Sequence, residues 1–547
     1  MSLTDSVKQR SGFRRHRRAA GIVGLAVVGS RVLGLVRESV FAAMFGAGAL
    51  LDAFLAAFQI PNLLRDMFAE GALSTAFTTV FTKTHEKDGS EPAWRLTSLL
   101  FSTIILLLGA ISIVGIVISP VIVHITNFGF HQVPGKFQLT VDLTRMMFPF
   151  IIFVSIAAVL MGILNSRFVF GIPASASTVF NFVTIVAGIG LALLFDPQDS
   201  WRHPRFTENA LYGLSLGVLL GGMAQAAMQL PTLFRLGFRF KWRIDFADPR
   251  LREVWALMWP GMIAAGTIQV NIMVNGMFAS EINGARSWLN CAFRIVHFPI
   301  GIFGVAIATA LLPAVARSHA RRDMGGFGSS VEEGLRLTAF LTIPASVGLM
   351  VLAPDIVRLV YQHGHFSAID TAQTASALRA YTLGLAAYAS IRVLTPCFSA
   401  LGKPRIPLRV SLLAIGMNIV LNLAMVEYLG MKQVGLALST ACLALINCAQ
   451  LALYLRRYVA LGRSPEWGRL ALAVIPASLL AGLAAWGVVF AAGPLDTAGT
   501  LYSAAALALA SLCGAMIYFG ITLCFRLEES HAVAEAALSM IRKLSRK

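Results

Sequence analysis

Residues Ser30–Gly46 read SRVLGLVRESVFAAMFG, a run of apolar and small residues broken by Arg31, Arg37 and Glu38. Together with the apolar residues from Ala19 onward it is long enough to cross a hydrocarbon core of roughly 30 Å as a helix. Similar windows recur as far as Phe525. Of the 547 residues 57% are hydrophobic and only 13% charged, against roughly 25% charged in a soluble domain. The chain therefore reads as an all-α polytopic membrane protein, and the three charges in its first span need an explanation that a soluble helix would not.

Fourteen transmembrane helices are expected, near 19–46, 49–82, 97–126, 139–165, 173–195, 209–234, 252–280, 286–316, 335–362, 372–400, 407–428, 433–456, 468–492 and 499–525. Charge placement supports that number. The tails and even-numbered connections hold 31 Lys and Arg, while the odd-numbered ones hold five: Lys136, Arg202, Arg205, Arg286 and Lys432. Positive-inside asymmetry then puts both termini in the cytoplasm, as an even number of spans requires. The net charge of +18 belongs to these loops, so no nucleic-acid partner is inferred.

The halves of the chain echo each other. FQIP ends at Pro61 and VHFP at Pro299, 238 residues on; the helices that follow each reach a basic cluster, at His85 and at His319, 234 apart. GIPASASTVFN opens with Pro173 and RIPLRVSLLAIGMN with Pro407, again 234 apart. The expected organisation is a basic tail (1–18), an N-lobe of six helices (19–236), a basic linker (237–251), a C-lobe of six helices (252–458), a helical pair (468–525) and a C-terminal tail (526–547). Paired lobes imply alternating access to a site near the bilayer midplane.

Nine arginines fall inside expected spans: Arg31, Arg37, Arg65, Arg145, Arg294, Arg336, Arg358, Arg379 and Arg392. Each costs roughly 2.5–3.5 kcal/mol at mid-bilayer on insertion scales. Arg145, Arg336, Arg358, Arg379 and Arg392 lie within about two turns of expected helix ends, where snorkelling accounts for them. Arg31 does not, being thirteen residues past Arg18 and fifteen before Gly46. Arg37 and Glu38 diverge by about 100° around the helix, so with Arg31 they span a broad wedge suited to a cavity wall. The second span adds Asp52, Gln59, Asn62 and Arg65, with Pro61 expected to bend or break it and Asp66 and Glu70 near enough to pair with Arg65. In the second half Arg294 precedes Pro299, the counterpart of Pro61 and a second candidate hinge, with His297 on nearly the same face. A wet interior walled by Arg31, Arg37, Arg65 and Arg294 suits an anionic substrate, since guanidinium groups pair bidentately with phosphate and carboxylate.

No GxxxxGK[ST] or HExxH occurs, and the GxSxG match at Gly213–Gly217 falls inside the apolar span expected at 209–234, so ATP hydrolysis and covalent catalysis have no visible home and the chain reads as a transporter rather than an enzyme. Six cysteines without CxxC spacing imply neither a disulfide framework nor a metal site. No cofactor is expected. The basic N-terminus resembles a signal-peptide n-region, but the apolar run after it passes straight into Arg31 without a small-x-small cleavage site.

SRVLGLVRE (Ser30–Glu38), DAFLAAFQIPNLLRDMFAEGALSTAF (Asp52–Phe77) and FPIGIFGVAIATALLPAVAR (Phe298–Arg317) resemble the MurJ (MviN) family of lipid II flippases, in the multidrug/oligosaccharidyl-lipid/polysaccharide exporter superfamily. The resemblance runs from about Gly21 to Phe525. It implies a monomer in the bacterial cytoplasmic membrane that moves lipid II, the polyprenyl-pyrophosphate-linked peptidoglycan precursor, from the inner to the outer leaflet. It also implies that Arg31, Arg37, Arg65 and Arg294, with Asp52, line the cavity and hold the headgroup. The helices of 468–525 would then form a groove for the polyprenyl tail. The sequence departs from the family where Phe293 replaces an acid beside Arg294, where Asn290 and Cys291 replace tyrosines, and where Glu38 replaces an aspartate. Another lipid-linked oligosaccharide is the nearest alternative cargo. A cation antiporter of the multidrug-exporter type and a membrane scaffold are the alternatives of other classes.

Overall fold

The structure is a computed structural model, and it describes residues 24, 26, 28–68, 73–198, 205–461, 465–495 and 499–535. The basic tail 1–18, the expected start of the first span, Glu70, Arg202 and the end of the C-terminal tail lie outside these. The described residues are helical and contain no β-strand. Among them eleven helical segments are each long and apolar enough to cross a membrane, and a pair bent by 48°, Ala368–Thr382 with Leu385–Ala400, makes a twelfth if taken as one span.

The chain divides into two compact units, residues 1–286 and 287–547. The first contains α1 (28–45), α2 (Ala49–Phe68), α3 (Ser74–Asp88), α4 (Ser90–Thr126), α5 (Lys136–Met147), α6 (Phe150–Ser166), α7 (Gly171–Phe195), α8 (Glu208–Ala227), α9 (Leu230–Arg235) and α10 (Pro249–Ala279). α10, in the stretch expected to open the C-lobe, packs against α2, α3 and α4 of this unit. α11 (Ala285–Pro299) begins at the boundary. Then come α12 (Val305–Ala320), α13 (Met324–Val351), α14 (Ala353–Tyr361), α15 (Ala368–Thr382), α16 (Leu385–Ala400), α17 (Arg405–Asn422), α18 (Lys432–Leu455), α19 (Glu466–Ala492) and α20 (Thr500–Cys524).

The repeat seen in the sequence reappears in helix boundaries. α13 begins 234 residues after α4, at Met324 and Ser90, and α17 begins 234 after α7, at Arg405 and Gly171. The fourth helix of each set breaks at matching places, after Met147 and after Thr382.

Several expected spans differ. Within the stretch 49–82, α2 runs through Pro61 to Phe68, so Pro61 does not break it, and α3 runs from Ser74 to Asp88, beyond the expected end. The span expected at 335–362 begins eleven residues earlier. Asp323 caps α13 by accepting from the Gly326 N–H, which lets the glycine- and glutamate-rich stretch 324–334 join the helix. It ends at Val351 because Pro354, in the first turn of α14, cannot continue it.

Small residues set the closest helix approaches. Gly213, Gly217 and Gly221 recur every fourth residue along α8, and Thr184, Gly188 and Ala192 do so along α7. A Cβ on Gly217 would fall 2.3 Å from the Gly188 Cα, and one on Gly213 2.4 Å from the Ala192 nitrogen. Lipid gives helices no hydrophobic reason to associate, so such close backbone packing supplies the attraction. α19 uses the same device, burying Ala473, Ala477, Ala481 and Ala485. A Cβ on Gly514 of α20 would meet the Ala481 carbonyl at 3.0 Å. Outward residues such as Leu472, Leu483, Phe490 and Leu501 remain exposed, as a lipid-facing surface requires.

Candidate functional site

The polar residues of the first unit are organised along α1 and α2. On α1, Arg31 is half-buried, and the side chains of Arg37 and Glu38 are nearly buried, 3.4 Å apart. The Arg37 guanidinium also lies 5.5 Å from the Phe180 ring centroid and 5.9 Å from that of Phe58. Aromatic faces thus solvate part of a charge that the bilayer would not. Asn181 donates to the Ser30 carbonyl at 3.1 Å, fixing α1 against α7.

Asp52, Gln59 and Asp66 recur every seventh residue on α2 and so share one face. Each meets a donor. Asp52 is fully buried, accepting from Lys136 Nζ at 2.9 Å and from the Gly284 N–H at 2.8 Å. Lys136 also donates to Asn283 at 3.1 Å and sits 4.2 Å from the Phe130 centroid. Gln59 accepts from Arg286 at 2.5 Å, and the other terminal nitrogen of Arg286 reaches the Thr126 carbonyl at 3.3 Å. Asp66 takes both Nε and a terminal nitrogen of Arg65, at 2.9 and 2.6 Å, and a 2.8 Å bond from Gln269 on α10. Asn62 is half-buried on the same helix.

Lys136 and Arg286, counted from sequence as loop charges, are therefore buried structural partners of α2. Neither position carries a local signal of burial. The heptad spacing of Asp52, Gln59 and Asp66 was the one sign in the sequence of a polar spine. Arg336, expected to snorkel, is likewise buried: it pairs with Glu466, with Glu529 at 3.0 Å and with Glu528 at 3.5 Å. It joins α13 to the start of α19 and the chain beyond α20.

Arg294, His297 and Pro299 lie on α11 in the second unit. α11 ends at Pro299 and passes into a π-helical turn, Ile300–Gly304, before α12. Phe293, the residue in place of the family's acid, packs its ring 4.5 Å from His297, 5.1 Å from Tyr381 and 5.9 Å from Tyr388. That position is an aromatic contact here, and a carboxylate would sit poorly in it. Trp288 Nε1 donates to Asp370 at 2.9 Å. Asp370 lies 234 residues after Lys136, so each unit ties its helix of the FQIP or VHFP type to the start of its bent helix through one polar link.

The first unit also holds a cavity of about 430 Å³ bordered by α2, α4 and α10. Apart from Gln59, Thr126 and Asn127 its lining is apolar, so it does not suit a charged headgroup. Among the described residues no three His, Cys, Asp or Glu side chains converge on a metal-sized site.

A family model described as "Lipid II flippase MurJ" matches residues 41–504, most of the chain and all of the helices that carry Asp52, Arg65 and Arg294. The chain belongs to the MurJ family. A probable lipid II flippase MurJ from Vibrio cholerae is 32% identical over 516 residues, covering 92% of this chain and 96% of that protein. The lipid II flippase MurJ of Burkholderia cenocepacia is also 32% identical, over 90% of this chain and 94% of its own length. Among solved structures, a MurJ in an inward closed conformation superposes with a TM-score of 0.74 at 23% identity, covering 92% of this chain and 98% of that one. An inward-facing multidrug transporter of the MATE family gives 0.63 at 15% identity, over 80% and 93%. These likenesses show that the chain shares its fold with MurJ and with a multidrug transporter of the MATE family.

Proposed function

We propose that this chain is a lipid II flippase, moving the lipid-linked peptidoglycan precursor from the inner to the outer leaflet of the bacterial cytoplasmic membrane by alternating access. The observation that carries the reading is a family match over residues 41–504, most of the chain, which takes in Arg65 and Arg294, two of the intramembrane arginines a diphosphate headgroup calls for. Arg31, Arg37 and Arg65 in the first unit and Arg294 in the second are assigned to the headgroup, with Glu38, Asn62 and His297 as further polar contacts. Asp52 and Gln59 hold the surrounding helices through Lys136 and Arg286, and Pro61 and Pro299 are assigned as hinges. Fourteen spans follow if α1 and the α2–α3 stretch join the twelve counted above, which puts both termini in the cytoplasm. The lobes of six helices and the α19–α20 pair as the polyprenyl groove belong to the same reading, as does a monomeric state.

The test is rescue of cells depleted of their own flippase, with lipid II accessibility read in each leaflet. Wild-type protein should restore outer-leaflet lipid II, and Arg31→Ala or Arg294→Ala should abolish it at unchanged membrane protein level. Full rescue by both variants removes the assigned roles, and a wild-type chain that leaves lipid II in the inner leaflet removes the function. Phe293 favours one second reading, a flippase for a different lipid-linked oligosaccharide, because it alters the surroundings of Arg294. That cargo would be exported while lipid II stayed inside.

A further inference from the structure

Between α9 and α10 the chain runs without regular secondary structure through Phe238, Arg239, Phe240, Lys241, Trp242, Arg243, Ile244, Asp245 and Phe246. Cationic and apolar residues alternate, so in an extended run they point to opposite sides. The run is anchored at its start. Phe238 is buried, with ring centroids 5.7 Å from Trp94 and 5.8 Å from Phe101. From there it follows α4, the Lys241 N–H donating to Ser98 Oγ at 3.4 Å and the Arg243 N–H to Ser102 Oγ at 3.1 Å. Two donors two residues apart, meeting serines one helical turn apart, hold the backbone extended along a membrane-spanning helix.

What this ribbon turns outward is unusual for a loop. Phe240, Trp242, Ile244 and Phe246 are 43–58% exposed, and the rings of Phe240 and Trp242 meet edge to face, 6.2 Å apart. Nearby carboxylates are occupied elsewhere: Asp88 by Arg250 at 3.0 Å, Glu253 by Lys83 at 2.7 Å, Asp248 by capping α10, and Asp245 by the Ala247 N–H at 3.0 Å. Arg239, Lys241 and Arg243 thus have no carboxylate partner among the described residues. An aromatic edge that wants hydrocarbon and a cationic edge that wants anions, side by side at the end of a spanning helix, match the two layers of a leaflet surface.

We propose that residues 238–246 form an interfacial lipid-binding ribbon. Phe240, Trp242, Ile244 and Phe246 enter the acyl boundary, and Arg239, Lys241 and Arg243 hold the headgroups of anionic phospholipids. This site lies apart from the intramembrane arginines assigned to the transported lipid.

The test uses the full chain in vesicles of phosphatidylcholine with phosphatidylglycerol, one lipid brominated at a time. The Trp242 signal is taken as the difference between wild type and Trp242→Phe. Expected is quenching of Trp242 by both lipids, stronger by the brominated phosphatidylglycerol and falling with added salt. Near-surface Lys and Arg bind an anionic leaflet by about fivefold each, which sets the ceiling for the preference. The triple variant Arg239→Gln/Lys241→Gln/Arg243→Gln should lose most of that preference, while Arg239→Lys/Arg243→Lys keeps it. A Trp242 quenched by neither lipid, equal quenching by both, or an unchanged preference in the triple glutamine variant each overturns the proposal.

Discussion

Replacing Lys136 by methionine tests the buried link between α2 and α5 most directly. Lys136 and Asp52 side chains are 1% and 0% exposed and 2.9 Å apart, so methionine keeps most of the volume and removes the charge. Asp52 then keeps the Gly284 N–H at 2.8 Å but loses the lysine that neutralises it. Removing one member of a buried ion pair costs about 3–5 kcal/mol, because the remaining charge loses its counter-ion and stays buried. Lys136→Met should therefore lower the thermal midpoint of the purified protein strongly. Asp52→Asn/Lys136→Met should recover most of the loss, since removing both charges leaves no ion stranded. Followed by size-exclusion after heating, a midpoint unchanged in Lys136→Met, or a double variant no more stable than the single, would refute the argument.

Two further predictions concern packing. Gly217→Val places a Cβ 2.3 Å from the Gly188 Cα, which α7 and α8 can accept only by separating; the recovered folded fraction should fall, at a cost of 1–3 kcal/mol typical of overpacking or about that order above it. Gly190→Ala, on the same helix pair with nothing within 4 Å of the new methyl, should leave it unchanged, and equal yields of the two variants would count against the close-approach account. Arg336→Met should lower the thermal midpoint by stranding Glu529, which is itself buried, at about 3–5 kcal/mol; an unaltered midpoint would mean that the cluster with Glu466 and Glu528 is solvated.

Much of this architecture is legible in the sequence. Hydropathy identified the class because a span is a local property: about 20 apolar residues suffice, whatever surrounds them. The 234-residue offset survived into the helix starts at Ser90 and Met324, because a repeated helix boundary is written in capping and turn residues close to it in sequence. The arginines on α1, α2 and α11 were visible as charges out of place in apolar runs. Errors clustered where local and distant forces compete. A glycine- and glutamate-rich stretch looked like a loop until Asp323 capped it into α13, and Pro61 looked like a break although α2 continues through it.

The partners of those charges were of a different kind. Lys136 and Arg286 stood in short polar connections, where a loop lysine and a buried one have the same sequence neighbours; their burial depends on Asp52 and Gln59, 84 and 227 residues away. Phe293 could be seen to replace an acid, but not that His297, Tyr381 and Tyr388 would surround it. The residue run alone thus specified which segments enter the bilayer and which charges go with them, since transfer from water to lipid is paid segment by segment. Which charge meets which was left to the packing of helices, since an ion pair is a property of two places in the chain that only folding brings within 3 Å.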